Sequence, residues 1–265
     1  MPIRKDFAAG EFCWIDLTAH DMKAAIAWYA GVFGWTHMTM DTPEGGSPYA
    51  FLTAGENAVG GIGEASPEMK AQGVPATWNS YINSEDCEAT EAKVRELGGM
   101  VTVPTMTIPG HGKLAYFLDP EGACFAAWQT LNPDGPGLLV GEPGGLCWNE
   151  LMTRDTGKAT AFYGALAGWD FTEMPMGEIS YTMAKAGETD AAGMLTMTGE
   201  QYEGVPPHWL VYFSVGDCDE IAEKAAATGG TVMVPPMDIP VGRMSIIADP
   251  QGAAFGIIKL ADVNC

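Results

Sequence analysis

Two acidic side chains stand in matched places, each two residues beyond a tryptophan: Asp16 after Trp14, and Glu150 after Trp148. In an extended strand, alternation puts Trp14 and Asp16 on one face and Cys13, Ile15 and Leu17 on the other. An apolar wall disfavours the charged form of a carboxyl group, raises its pKa and suits it to general acid or base work. The same acids could instead contact a ligand, or simply hydrogen-bond neighbouring strands or a lysine at the rim. A second segment with chemical potential is Pro-Gly-His-Gly-Lys at 109–113. Its glycines suit a mobile loop presenting His111 and Lys113 to an anionic ligand, and Arg243 occupies the place matching Lys113.

Other chemistries find little footing. His20, His37, His111 and His208 are scattered, whereas a metal needs three or four donors converging on one point. The six cysteines form no CxxC pair and are expected to be small buried thiols in a reducing cytoplasm. No phosphate-binding loop, dinucleotide fingerprint or G-x-S-x-G elbow is present, so no cofactor is implied. With 34 Asp+Glu against 13 Lys+Arg, the net charge is −21. Such a surface repels nucleic-acid phosphates and anionic membranes. No stretch is long and apolar enough to span a bilayer, and the opening MPIRKDFAAGEF has no apolar signal region. A cytoplasmic protein is expected.

These residues belong to a duplicated framework. Residues 12–35 return without a gap as 146–169, keeping Cys13/Cys147, Trp14/Trp148, Asp21/Asp155, Tyr29/Tyr163 and Trp35/Trp169. Residues 77–109 return as 208–240, and 112–128 as 242–258. Pro- and Gly-rich residues 131–145 read as a linker between two homologous domains. Each copy contains a smaller unit twice. A strand at 12–17 is followed by Asp21 as helix cap, a helix with Ile26, Tyr29, Val32 and Phe33 on its apolar positions, and Gly34 as its stop. Strands follow near 35–40, 49–54 and 58–63. The second half repeats this with a strand at 77–83, a helix at 86–97 and strands near 100–106, 113–118 and 123–129. The chain thus reads as four βαβββ units in an α+β protein.

The openings Asp21 to Trp35 and Asp155 to Trp169, with the DPEG turn at 119–122 and the DPQG turn at 249–252, resemble the vicinal oxygen chelate superfamily of glyoxalases, bleomycin-resistance proteins and dioxygenases. The resemblance implies two glyoxalase/bleomycin-resistance-like domains with curved mixed sheets, expected at residues 1–133 and 134–265. It also implies cup-shaped sheets whose inner strands carry His or Glu ligands to a divalent metal. Here those slots fall on Trp14, Gly60–Gly61, Asn79 and Ala126, and in the second copy on Trp148, Gly193, Leu210 and Gly256. None is His, Glu or Asp, so no metal ligands are assigned.

If the Trp face lines the cup, strand parity adds Asn79, Tyr81 and Trp128 to Asp16 in the first copy, and Tyr212 to Glu150 in the second. An acid, an amide or phenol and an aromatic wall suit a small organic molecule better than a metal. The expectation is therefore metal-independent binding of a small organic ligand, with sequestration and acid–base turnover at Asp16 or Glu150 both open. The alternative is a metal-dependent lyase, isomerase or dioxygenase with displaced ligands. A third reading has the cups filled by their own side chains. The first cup, being more polar, is the better candidate, and oligomeric state is left open.

Overall fold

Asp21 and Gly34 delimit the first helix as local chemistry requires. The Asp21 carboxylate accepts the amide of Ala24 at 2.9 Å, satisfying a donor that the first helical turn leaves unpaired. Gly34 closes α1 (Met22–Phe33) in the left-handed region, at φ 73°. The duplicate helix repeats both devices, with Asp155 capping its start and Gly168 at φ 70° closing its end.

The computed structural model describes residues 3–40, 48–176 and 179–261. The first sheet is built from β1 (Ile3–Arg4), β2 (Phe12–Ala19), β3 (Thr36–Thr39), β4 (Tyr49–Ala54), β5 (Asn57–Glu64), β6 (Thr77–Asn83), β7 (Met100–Ile108), β8 (Gly112–Leu118), β9 (Cys124–Thr130) and β10 (Leu138–Leu139). The short α2 (Pro67–Ala71) and α3 (Cys87–Glu96) complete that half. The second half holds β11 (Leu146–Thr153), α4 (Thr156–Ala167), β12 (Asp170–Met176), β13 (Ile179–Ala186), β14 (Thr189–Thr196), β15 (His208–Ser214), α5 (Cys218–Ala227), β16 (Thr231–Ile239), β17 (Gly242–Ala248) and β18 (Ala254–Leu260).

Four βαβββ units follow directly from this order. In the first half, β2 runs parallel to β5 and β6 parallel to β9, while β2 and β6 join the two units antiparallel. The second sheet runs β12-β13-β14-β11-β15-β18-β17-β16, with the same parallel pairs and the same antiparallel seam between β11 and β15. The Pro/Gly-rich segment contributes more than a connection. Leu138 and Leu139, both buried, form β10, which pairs with β5 and β1 of the first sheet. Burial of a leucine side chain stabilises by about 1.5–3 kcal/mol, enough to hold this short strand in place.

The cores lie behind the sheets and are shared between the halves. Ile15, Leu17 and Tyr29 pack in one cluster with Phe213, Phe255 and Ile257 of the second half. Conversely, Phe117 and Phe125 share a cluster with Leu151, Phe162, Tyr163 and Trp209. Two buried hydrogen bonds mirror each other across this junction: Tyr29 Oη donates to Asp249 Oδ2 at 3.3 Å, and Tyr163 Oη donates to Asp119 Oδ2 at 3.1 Å. The helices thus seal the backs of the sheets against each other, leaving each front face as a separate cup.

Candidate functional site

Period-two alternation carries Trp14, Asp16 and Thr18 of β2 onto the front of the first sheet, beside Asn79 and Tyr81 of β6. The register sets Asp16 opposite Asn79 and Trp14 opposite Tyr81. Asp16 is buried, with 6% of its surface exposed. Its Oδ1 accepts the Asn79 amide at 2.9 Å, and its Oδ2 accepts the Tyr81 hydroxyl at 2.6 Å. The Asn79 amide also reaches Thr18 Oγ1 at 3.0 Å.

Two residues not singled out in the sequence complete this network. Tyr49 of β4 donates to Asp16 Oδ2 at 3.4 Å and accepts the indole N–H of Trp14 at 3.1 Å. Tyr116 of β8 hydrogen-bonds the Tyr81 hydroxyl. Trp14 meets Phe51 edge-on at 5.7 Å between ring centroids, and Trp128 packs in the same cluster as Tyr81 and Ala126. Trp14, Tyr49, Phe51, Tyr116 and Trp128 are all partly exposed, so this aromatic wall is accessible while the acid beneath it is not.

The second cup keeps a reduced version. Tyr212 donates to Glu150 Oε2 at 2.9 Å, and Trp148 donates to the hydroxyl of Tyr181 at 2.9 Å. Leu210 takes the place of Asn79 and Ile246 that of Tyr116, and the surrounding cluster includes Met244 and Ile258. Burial pushes the carboxyl pKa of both acids upward; hydrogen bonds from Tyr81, Asn79 and Tyr49 partly oppose this at Asp16, as do those from Tyr181 and Tyr212 at Glu150. Burial and the neighbouring carboxylate also raise Tyr49, Tyr81 and Tyr212, which keeps these phenols protonated as donors.

The glycines at the anticipated ligand slots have a steric explanation. A Cβ on Gly61 would lie 1.8 Å from the Tyr49 hydroxyl, and one on Gly193 would lie 1.7 Å from that of Tyr181. These positions are bare because a tyrosine from the neighbouring strand lies across them. This pairing was the available sequence signal for Tyr49 and Tyr181, since an unexplained strand glycine implies close approach by another group. The donor set does not fit the divalent metal implied by the fold. Each cup supplies one carboxylate, already engaged by phenols, and no group of three His, Cys, Asp or Glu side chains converges among the described residues.

Other expectations need correction. Lys113 and Arg243 are not brought to the cups. Their strands turn Leu114, Tyr116, Met244 and Ile246 to the front, so Lys113 and Arg243, one residue out of phase, face the helices. There Lys113 pairs with Glu88 of α3 at 2.7 Å, and Arg243 with Asp219 of α5 at 2.6 Å. His111 occupies the turn between β7 and β8, tied through its backbone to Ile108 and Leu131; among the described residues no hydrogen bond joins its ring to a cup. A bulge between Phe12 and Trp14 breaks the simple alternation. It places Cys13 with Tyr81 and Ala126 rather than with Ile15 and Leu17. Cys147 also belongs to its own cup's cluster but, unlike the buried Cys13, is partly exposed.

Comparison with known proteins agrees with this architecture. A "Putative glyoxylase CFP32" of Mycobacterium bovis is 39% identical over 263 residues, covering 98% of this chain and 99% of that protein. "Anthracycline biosynthesis protein DnrV" of Streptomyces peucetius is 33% identical over 268 residues, covering 97% and 95% respectively. The fold matches the Mn(II)-bound glyoxalase of Novosphingobium aromaticivorans with a TM-score of 0.63 at 16% identity, covering 97% of this chain and 85% of that one. It also matches the 2,3-dioxygenase LapB of Pseudomonas sp. KL28 with a TM-score of 0.61 at 12% identity, covering 95% and 93%. Residues 12–126 and 146–257 each match the Glyoxalase/Bleomycin resistance protein/Dioxygenase superfamily, and the chain belongs to that family.

Proposed function

We propose that the first cup binds a small, flat, hydroxylated aromatic molecule without a metal ion. The observation carrying this reading is the Trp14–Tyr49–Asp16–Tyr81–Tyr116 network, which starts at Trp14 and lies across Gly61, two of the slots where the resemblance implies metal ligands. Trp14, Phe51 and Trp128 offer ring faces and edges for stacking, while the Tyr116 oxygen can accept a hydrogen bond from a ligand hydroxyl. A wall of this kind with a few convergent polar groups is the usual composition of a small-molecule site. The relative from Streptomyces peucetius, named for anthracycline biosynthesis, supports the ligand class, because anthracyclines are flat hydroxylated polycycles. Asp16 is the candidate acid–base group, and Glu150 is its counterpart in the more apolar second cup. Cys13, Cys87, Cys124, Cys147 and Cys218 are free thiols, which suits a reducing compartment such as the cytoplasm.

Titration of the full chain with hydroxyanthraquinones in excess EDTA, followed by calorimetry and tryptophan fluorescence, tests this reading. Saturable binding is expected, and Trp14→Leu should weaken it roughly tenfold, equivalent to about 1.4 kcal/mol. Binding that appears only after Mn, Fe, Co, Ni or Zn is added, accompanied by stoichiometric metal in elemental analysis, would sink it.

A further inference from the structure

Donor counting gives the phenol network of the first cup a direction. An indole nitrogen only donates, so Tyr49 must accept from Trp14 and pass its own hydroxyl proton toward Asp16. That arm is closed, because no proton can enter through Trp14. The Asn79 amide is likewise a donor to Asp16 and Thr18. The Tyr81 proton is committed to Asp16, which leaves the Tyr81 oxygen to accept from Tyr116. Tyr116, a partly exposed residue, therefore ends the chain with its own hydroxyl proton pointing inward. Its oxygen accepts no protein hydrogen bond among the described residues and is free to accept one from a ligand.

On the reading of this cup as a ligand site, we infer that Tyr116, Tyr81 and Asp16 form a proton wire that ionises an acidic hydroxyl of the bound molecule. The ligand's O–H bond breaks as its proton joins the Tyr116 oxygen. The Tyr116 proton moves to Tyr81, and the Tyr81 proton moves to Asp16 Oδ2. The products are a ligand oxyanion and a neutral Asp16 carboxyl group, with both phenols neutral again. No electron pair leaves the system, and the transfer reverses when the ligand departs. The net charge of the cup is unchanged, but it moves from a buried carboxylate to a delocalised phenolate or enolate.

The surroundings favour that displacement. The groups facing Asp16 are Thr18, Tyr49, Asn79, Tyr81, Tyr116 and Cys124, from five strands, and none is cationic. Burial, with the nearby Asp16 charge, pushes the Cys124 thiol up to about 11, so it stays neutral. Burial also raises Asp16 itself, which makes the acid a receptive terminus. Tyr116 is the catalytic contact in this scheme, and Asp16 acts through the two phenols. The second cup lacks the outer phenol, because Ile246 replaces Tyr116.

Alizarin, a hydroxyanthraquinone whose visible band moves to the red on ionisation, is a direct probe. It is mixed with the full chain in EDTA at a pH where free alizarin is neutral. The wild type should bind it with the ionised band, its ionisation equilibrium displaced about tenfold or more. Tyr116→Phe, Tyr81→Phe and Asp16→Asn should bind the neutral, yellow form, while Lys113→Ala should retain the red band. Thermal transitions confirm that each variant is folded, and Tyr116→Phe, the more exposed change, guards against collapse of the buried ones. Alizarin bound without a red shift by the wild type, or with an undiminished shift by Tyr81→Phe, overturns the wire and leaves the cup reading intact. Failure of alizarin to bind overturns both.

Discussion

The two cups are copies of one design, and they differ where a ligand would notice. Both place an acid under a tyrosine on β6 or β15, and both brace a second tyrosine with a tryptophan N–H. In the first cup the network continues through Asn79, Thr18 and Tyr116. In the second it stops at Tyr212, because Leu210 and Ile246 replace the polar partners. A buried acid with fewer donors is harder to ionise, so duplication has preserved the frame while altering its polarity. The shared cores behind the sheets explain how this is possible. Stability depends on faces that neither cup uses, and the front faces can change separately.

The largest test of this symmetry is steric. Gly256→Ala should destabilise by about 1–3 kcal/mol through overpacking, because its Cβ would lie 2.2 Å from the Tyr212 ring. The matching residue in the first cup is already Ala126, and equilibrium urea unfolding would compare Gly256→Ala with the parent. A neutral result would mean that the second cup is open enough for Tyr212 to swing away.

The next test is electrostatic. Asp16 holds its proton more tightly in the folded chain than at its ordinary value of 3.8. Its contribution to stability is therefore full below that value and declines as pH rises through the raised folded pKa. Asp16→Asn should remove this decline and gain on the wild type as pH rises above 3.8. Glu150→Gln should behave likewise, because burial raises the Glu150 carboxyl too. Urea midpoints across that range would measure both, and an identical pH slope in wild type and Asp16→Asn would refute the assignment.

A smaller effect separates the cups by binding. Tyr116→Phe should cost about 0.5–1.5 kcal/mol of affinity for a hydroxyanthraquinone, the worth of one neutral hydrogen bond. Ile246→Tyr should bring a comparable gain to the second cup, seen as a second calorimetric site. The smallest effects concern the displaced cations. Lys113→Ala and Arg243→Ala should leave binding unchanged and barely move the urea midpoint, because solvent screens exposed ion pairs.

Much of the frame was legible in the sequence because it is written locally. Asp21, Asp86, Asp155 and Asp217 cap the helices they precede, and Trp14 and Asp16 share a face by alternation alone. Tyr49, Tyr181 and Tyr116 were harder to read. Each reaches the acid or its phenol from a different strand, so its role depends on pairing across the sheet. The Gly-flanked loop around His111 suggests mobility and ligand contact for Lys113 and its counterpart Arg243, but the pleat turns both toward helix carboxylates. The bulge before Trp14 redirected Cys13, and nothing in residues 12–14 marks an extra residue against β6.

By itself, the sequence determined the duplication, the βαβββ order, the helix ends and the acid-under-tryptophan placement. These depend on residues within a few positions of one another. The tertiary structure alone decided that tyrosines from neighbouring strands cover Gly61 and Gly193, that the halves share their cores while keeping their cups apart, and that one network extends to Tyr116, a partly exposed residue. Those outcomes depend on strand register and sheet curvature, which bring together side chains from separate strands.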